Sequence, residues 1–319
     1  MSPSESRVQA SHSGIRGIHH VGLVVTDLAA AQTFYRDTTG LAPSTDAALL
    51  PALGIAPESA PTPQLAALAG PNAYLALQQF DPPVPGPQGG MPVAGPGVTH
   101  ICFQCPMGRD LYGRMRKAQA QPVSRGDAPV DLGGYGVHYA YLRDADELMF
   151  EIEQIDDPKF AGDLWLAHVA LVSPDIERLE AFYEKLLGVE PYNRNPMLRG
   201  SRADRVTGID QVQIQATWFN AGNMVLELWQ YLNPATPAPA APAAYAQTGY
   251  NKFVFEVESL DTQLERLESL GIALEGAPQA TSAGPCAFGR DPDGNLFALL
   301  ELPANSPLSL TRRERISWM

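Results

Sequence analysis

The amino-acid sequence predicts an α+β fold made of four copies of one unit, in which a strand and an amphipathic helix precede about three further strands. Three observations predict this fold: the two halves of the chain repeat each other, helix-capping residues recur at matching places, and alternating apolar runs with tight turns follow the helices. The chain has 319 residues, a length that suits two domains with large cores.

The repeat between the two halves is visible in two pairs of stretches. HHVGLVVTDLAAAQTFYRDTTGL matches AHVALVSPDIERLEAFYEKLLGV, and this match aligns His20 with His168. Further along, NAYLALQQFDP, from Asn72, matches NMVLELWQYLNP, from Asn223. The chain is therefore a duplication.

Each half contains the unit twice. THICFQCPMGRDLYGRMRKAQAQP and NKFVFEVESLDTQLERLESLG repeat the order of a strand followed by a helix. After the helices, alternating runs such as VQIQATWF and NMVLELWQY, joined by a short turn, predict hairpins. The residues predicted to cap helix starts and to end helices are Asp27, Asp175 and Asp261, and Gly40, Gly188 and Gly271.

Segments rich in Pro, Ala and Gly divide the chain. Residues 81–97 and 233–249 have too many of these residues for a packed element, so we predict surface connectors there. A third boundary lies at residues 155–163. The predicted organisation is a disordered tail at 1–16, a first domain of two modules at 17–156, a second domain of two modules at 163–302 and a C-terminal tail at 303–319.

Charge and composition argue against several classes of partner. With 22 Lys and Arg against 35 Asp and Glu, a net charge of −13, and no basic stripe, nucleic acid is not an expected partner. No apolar run approaches the ~20 residues that cross a bilayer, and the Ser-rich start lacks the apolar region of a signal peptide. The three cysteines make no disulfide framework. We expect a cytoplasmic protein without a membrane partner.

The repeated unit resembles the vicinal oxygen chelate superfamily, which includes glyoxalase I, methylmalonyl-CoA epimerase, extradiol dioxygenases and bleomycin-resistance proteins. The resemblance covers about residues 17–302 and is most specific in IHHVGLVVTDLAAAQTFYRDTTGL, LAHVALVSPDIERLEAFYEKLLGV and FGRDPDGNLFALLEL. It implies βαβββ modules that pair into two curved mixed sheets, the duplicated form of this fold. It also implies ligands for a divalent metal on the first strand of a module, usually His, and on its last strand, usually Glu or Gln.

Strand alternation indicates which residues occupy these ligand positions. His20 shares a strand face with Gly22, and His168 shares one with Ala170, so a small residue on the same face indicates an open cavity beside each His. His19 falls on the opposite face. In module order, the ligand positions hold His20 and Ala76, His100 and Glu151, His168 and Glu227, and Lys252 and Ala298.

Two pairings of the modules are open at this point. If modules one and two share a sheet, the ligand set is His20, His100 and Glu151, a 2-His-1-carboxylate set suited to Fe(II) and O₂. If modules two and three share a sheet, the ligand set is His100, Glu151, His168 and Glu227. We favour the second pairing because it leaves one complete site and places all the lost ligands in the other sheet.

The favoured set implies one divalent metal ion, Zn, Ni, Co, Mn or Fe, and a small-molecule substrate with two neighbouring oxygens. By resemblance to glyoxalase I, Glu227 or Glu151 acts as the base that moves a proton next to a carbonyl. The expected reaction is an isomerisation, an epimerisation or a lyase step. Tyr141 is a further catalytic candidate, because its position on the preceding strand resembles that of the active-site tyrosine of extradiol dioxygenases.

Two other functions compete with this one. The first is an Fe(II)-dependent extradiol-type dioxygenase that uses His20, His100 and Glu151. The second is a non-enzymatic, resistance-type protein that binds a small molecule through aromatic residues alone. A monomer or a homodimer is expected, and segments 42–70 and 190–211 are expected to shape the pocket. The candidate pocket aromatics are Trp218, Phe219, Trp229 and Tyr231.

Overall fold

The computed structural model describes residues 13–44, 48–160, 162–239, 242 and 244–316. Module one comprises β1 (Ile15–Val24), α1 (Leu28–Thr39), β2 (Ala42–Ser44), α2 (Leu49–Leu53), β3 (Gln64–Ala69) and β4 (Tyr74–Gln79). Module two comprises β5 (Gly97–Pro106), α3 (Leu111–Lys117), β6 (Gln121–Pro122), β7 (Val130–Asp131), β8 (Val137–Arg143) and β9 (Met149–Ile155).

The second half repeats this order of elements. Module three comprises β10 (Trp165–Val172), α4 (Ile176–Leu187), β11 (Asn193–Arg199), α5 (Ser201–Thr207), β12 (Gln213–Asn220) and β13 (Val225–Asn233). Module four comprises β14 (Gly249–Val257), α6 (Leu260–Ser269), β15 (Leu274–Thr281), β16 (Gly284–Arg290) and β17 (Leu296–Glu301). The predicted α+β fold of four βαβββ modules is confirmed.

The four modules form two mixed sheets, each with one module from each half of the chain. Modules four and one form an eight-stranded sheet in the order β15-β16-β17-β14-β1-β4-β3-β2, here called the outer-module sheet. Modules three and two form a nine-stranded sheet in the order β11-β12-β13-β10-β5-β9-β8-β6, called the inner-module sheet, in which β7 also pairs with β8. The pairing of modules two and three is the one that the sequence favours.

Every module ties its main helix to its last strand with the same hydrogen bond. A backbone N–H at the start of the helix, from its first residue or, in α3, its second, donates to a side-chain oxygen on the last strand: Leu28 to Gln79 (2.8 Å), Tyr112 to Gln154 (2.8 Å), Ile176 to Gln230 (3.1 Å) and Leu260 to Glu301 (2.6 Å). The acceptor lies three residues after the ligand position, so it points to the other face of the strand. The helices therefore cover one face of each sheet, and the ligand positions lie on the other.

One capping prediction is wrong. The side chain of Ser259, and not that of Asp261, caps α6 by accepting a hydrogen bond from the backbone N–H of Thr262 at 3.3 Å. Asp261 lies inside the first turn of the helix. The predicted caps Asp27 and Asp175 are confirmed.

Two buried amides join the halves of the chain. Asn72 Nδ2 donates to the backbone oxygens of Leu166 (2.7 Å) and Asn223 (2.8 Å). Asn223 Nδ2 donates in turn to the backbone oxygens of Ile18 and Asn72, both at 2.8 Å. These bonds connect the two sheets. Among the described residues, no helix is both long and apolar enough to span a membrane.

Candidate metal centre

Four side chains converge on the cavity face of the inner-module sheet. They come from two first strands and two last strands: His100 on β5, His168 on β10, Glu151 on β9 and Glu227 on β13. One donor atom from each lies within 4.8 Å of the others, and all four side chains are buried. The structure thus brings together the four residues of the favoured ligand set.

The donor atoms face one another at short distances. Glu151 Oε2 lies 2.8 Å from His168 Nε2 and 3.2 Å from His100 Nε2. Glu227 Oε2 lies 3.0 Å from His168 Nε2. The two imidazole nitrogens are 3.4 Å apart. Two imidazoles and two carboxylates aimed at one point form a donor set that fits a divalent transition metal.

Strong electrostatic coupling accompanies this geometry. Burial lowers the pKa of His168, but the charges of Glu227 and Glu151 outweigh it and raise that pKa to about 10. Burial raises the pKa of Glu151, yet hydrogen bonds from His100 and His168 lower it to about 2. Without a cation, the site therefore holds an ionised carboxylate beside an imidazolium, and a metal ion must displace that proton.

Two neighbours orient the donor atoms. The Thr99 hydroxyl donates to the backbone oxygen of Ala170 at 3.4 Å, so it accepts from His100 Nδ1, 3.1 Å away. A proton on Nδ1 leaves the lone pair of His100 Nε2 free for a metal. On the other side, the Trp218 indole N–H donates to Glu227 Oε1. Neither role was anticipated from the sequence.

A cavity of about 360 Å³ lies beside the donor cluster and is lined by three of its members, Glu151, His168 and Glu227. Trp218 and Trp229 line it as expected, whereas Phe219 belongs to the core on the helix side, because alternation along β12 turns it away. Tyr231 stacks behind Trp229, with ring centroids 6.5 Å apart. From segment 190–211, β11 and α5 contribute to the cavity wall, which agrees with the expectation for that segment.

Tyr141 stands directly beside the donor set. It pairs with Glu151 in the register of β8 and β9, and its ring centroid is 5.0 Å from that of His100. Burial and the charge of Glu151 raise the pKa of Tyr141 well above its usual range. The phenol is therefore neutral and lines the cavity.

Sequence reasoning missed one further carboxyl in the cavity, that of Glu153. It lies two residues after Glu151 on the same strand face and accepts a hydrogen bond from Gln104 Nε2 at 2.5 Å. The pKa of Glu153 is raised to about 7, mainly by burial. The sequence of β9, MFEIEQI, could have predicted this position, because alternation along a strand places Glu151 and Glu153 on the same face.

The alternative ligand set is not assembled. His20 lies on β1, which pairs with β14 and β4 in the outer-module sheet, while His100 and Glu151 lie in the inner-module sheet. Both His19 and His20 are fully buried, and their Nδ1 atoms are 2.9 Å apart. The set of His20, His100 and Glu151 is therefore wrong, because modules one and two do not share a sheet.

The cavity face of the outer-module sheet is filled by protein. Helix α2 and Ile55 pack in one apolar cluster with Ala76 and Ala298, the positions that lost their ligands. Lys252 Nζ donates to the backbone oxygens of Leu53 (3.1 Å) and Ile55 and to the Tyr245 hydroxyl (2.8 Å). The described part of segment 42–70 thus fills this space, and none of it lines the cavity beside the four donors.

Comparisons with known proteins agree with this architecture. The family model described as the glyoxalase/bleomycin resistance protein/dioxygenase superfamily matches residues 17–152 and 165–299. Glyoxalase I from Zea mays has a similar structure, with 19% identity, a TM-score of 0.58, and coverage of 89% of this chain and 92% of that one. A Bacillus subtilis protein described as a putative dioxygenase gives 14% identity, a TM-score of 0.56, and coverage of 91% and 86%. No curated protein sequence matches the chain. At these identities the likeness shows a shared fold.

Proposed function

The chain belongs to the glyoxalase/bleomycin resistance protein/dioxygenase superfamily, and from that membership we propose that it is a divalent-metal-dependent isomerase or lyase of the glyoxalase and epimerase type. Its substrate is a small molecule with two neighbouring oxygens. The observation that carries the proposal is the buried convergence of His100, His168, Glu151 and Glu227, the last three of which line a cavity.

These four residues would hold the ion. When bound, a divalent cation acts as a Lewis acid that polarises a carbonyl and stabilises negative charge next to it. His100 and His168 supply neutral nitrogen donors once His168 has lost its proton. Glu151 and Glu227 supply oxygen donors and balance the charge of the ion.

Proton transfer is assigned to one of the two carboxylates. Glu227 or Glu151 takes a proton from the carbon beside the polarised carbonyl and returns it to a neighbouring atom. The indole of Trp218 holds Glu227 Oε1, which leaves Oε2 facing His168 and the donor cluster. Tyr141, as a neutral phenol on the cavity wall, can donate a hydrogen bond to a substrate oxygen.

The test follows proton exchange at carbon. Metal-loaded protein is incubated in D₂O with a panel of α-hydroxyketones, and NMR measures loss of the signal from the C–H next to the carbonyl. We expect exchange with the wild type and a loss of at least about 100-fold for Glu227→Gln or Glu151→Gln. Glu268→Gln, an exposed change on α6, is the matched control and keeps the wild-type rate.

Two outcomes contradict the proposal. Oxygen uptake with a catechol panel, without exchange at carbon, identifies a dioxygenase. Absence of bound metal together with absence of turnover contradicts the assignment as a metal-dependent enzyme.

A further inference from the structure

The cavity beside the four donors is small and has aromatic walls. Its volume of about 360 Å³ lies at the lower end of the range of roughly 300–1,000 Å³ typical of ligand pockets. Flat rings and short aliphatic side chains form most of its surface, which favours a flat apolar ligand. The aromatic residues of the wall are Tyr139, Tyr141, Trp165, Tyr192, Trp218 and Trp229.

The cavity wall offers no Lys or Arg side chain to an anionic group of a ligand. Among the described residues that line the cavity there is no Lys and no Arg, whereas three carboxyl groups line it: Glu151, Glu153 and Glu227. An anionic group elsewhere on a metal-bound substrate would therefore lose its hydration without gaining a Lys or Arg partner. It would also lie close to Glu153, which is not one of the four donors.

The basic residues of α5 and of the adjoining depression do not face the cavity. On α5, Ala203 and Val206 face the cavity, while Arg202 and Arg205 are exposed on the other side of the helix. In the adjoining depression, Lys159 Nζ lies 2.6 Å from a carboxylate oxygen of Asp157. These cations are thus directed to solvent or already compensated.

We propose that this site selects a substrate whose body is aromatic and uncharged, so that the two metal-binding oxygens are its only strongly polar atoms. The proposal rests on the proposed function for the role of those two oxygens. It adds a substrate class: neutral aromatic compounds with neighbouring oxygens are accepted, and analogues with a carboxylate or phosphate on the ring are excluded.

A pair of ligands that differ in one group tests this selection. 4-Methylcatechol and 3,4-dihydroxybenzoate present the same two oxygens, with a methyl group or a carboxylate at the same ring position, and serve as binding probes and not as substrates. Calorimetric titration of zinc-loaded protein should give at least about tenfold tighter binding of 4-methylcatechol.

A matched pair of variants supplies the missing cation. Leu198 lines the cavity from β11, while its neighbour Met197 is 40% exposed and does not. Leu198→Arg should reduce the ratio of the affinities for 4-methylcatechol and 3,4-dihydroxybenzoate by about tenfold or more, because a guanidinium at the wall pairs with the carboxylate of 3,4-dihydroxybenzoate. Met197→Arg adds the same charge to the same strand and should leave the preference unchanged.

The outcomes separate this inference from the proposed function. Equal or tighter binding of 3,4-dihydroxybenzoate to the wild type, or no binding of either probe, overturns the inference. Zinc content is measured on each sample, and failure to hold zinc counts against the proposed function. On zinc-free protein, wild type and Leu198→Arg both contain the protonated His168, so the difference in probe preference between these two proteins still reports the contribution of the walls, and an unchanged preference overturns the inference.

Discussion

Binding of a metal ion to the candidate centre should release a proton from His168. The charges of Glu227 and Glu151 outweigh burial and raise the pKa of His168 to about 10, so at pH 7 this imidazole is almost fully protonated. Glu151, with a pKa lowered to about 2, is already ionised and releases none. Each ion should therefore displace about one proton, and apparent affinity should rise about 100-fold from pH 7 to pH 9.

Calorimetry checks this expectation. Zinc is titrated into metal-free protein from a chelator buffer, and heats measured in buffers of different ionisation enthalpy give the number of protons released. Glu227→Gln removes the negative charge that contributes most to the raised pKa of His168. In this variant His168 should therefore release a proton on zinc binding only at lower pH than in the wild type. The reasoning is refuted if the wild type releases no proton at pH 7 and its affinity for zinc does not change with pH.

Three further predictions concern the neighbours of the site and the rest of the fold. Trp218→Phe removes the donor to Glu227 and should weaken zinc binding about 10–100-fold in a chelator competition, while Trp229→Phe should not. Burial lowers the pKa of Lys252 from 10.5 to about 7. Between these two pH values the unfolded chain therefore binds more protons than the folded chain. In denaturant unfolding, the free energy of unfolding of the wild type should rise relative to that of Lys252→Met as pH increases through this range. A fall in this difference would contradict the prediction. Asn72→Ala should lower the free energy of unfolding by about 3 kcal/mol, whereas a loss under about 1 kcal/mol would mean that the amide bonds add little.

The ligand faces could be read from the sequence because they depend on local alternation. Within module three, β10 and β13 are parallel neighbours, and Ala170, two residues after His168, pairs with Glu227. A period of two and the repeat between modules are enough to place such residues on one face. The α+β fold could be predicted for the same reason.

The partner of each module could not be derived from local patterns. The second neighbour of β10 is β5, which comes from the other half of the chain, and such long-range pairing has no signature within either strand. Preference for this pairing depended on the lost ligands at Ala76, Lys252 and Ala298. The filling of the outer-module sheet by α2 was not predicted, because the segment around it is short and without clear periodicity.

Metal content of matched variants tests the central claim most directly. Each protein is loaded with zinc, dialysed, checked for folding by circular dichroism and analysed for bound metal. We predict about one ion per chain for the wild type and for His20→Ala, and almost none for His168→Ala and Glu227→Ala. Loss of the ion in His20→Ala, with retention in His168→Ala and Glu227→Ala, would contradict the assignment of the metal centre to modules two and three.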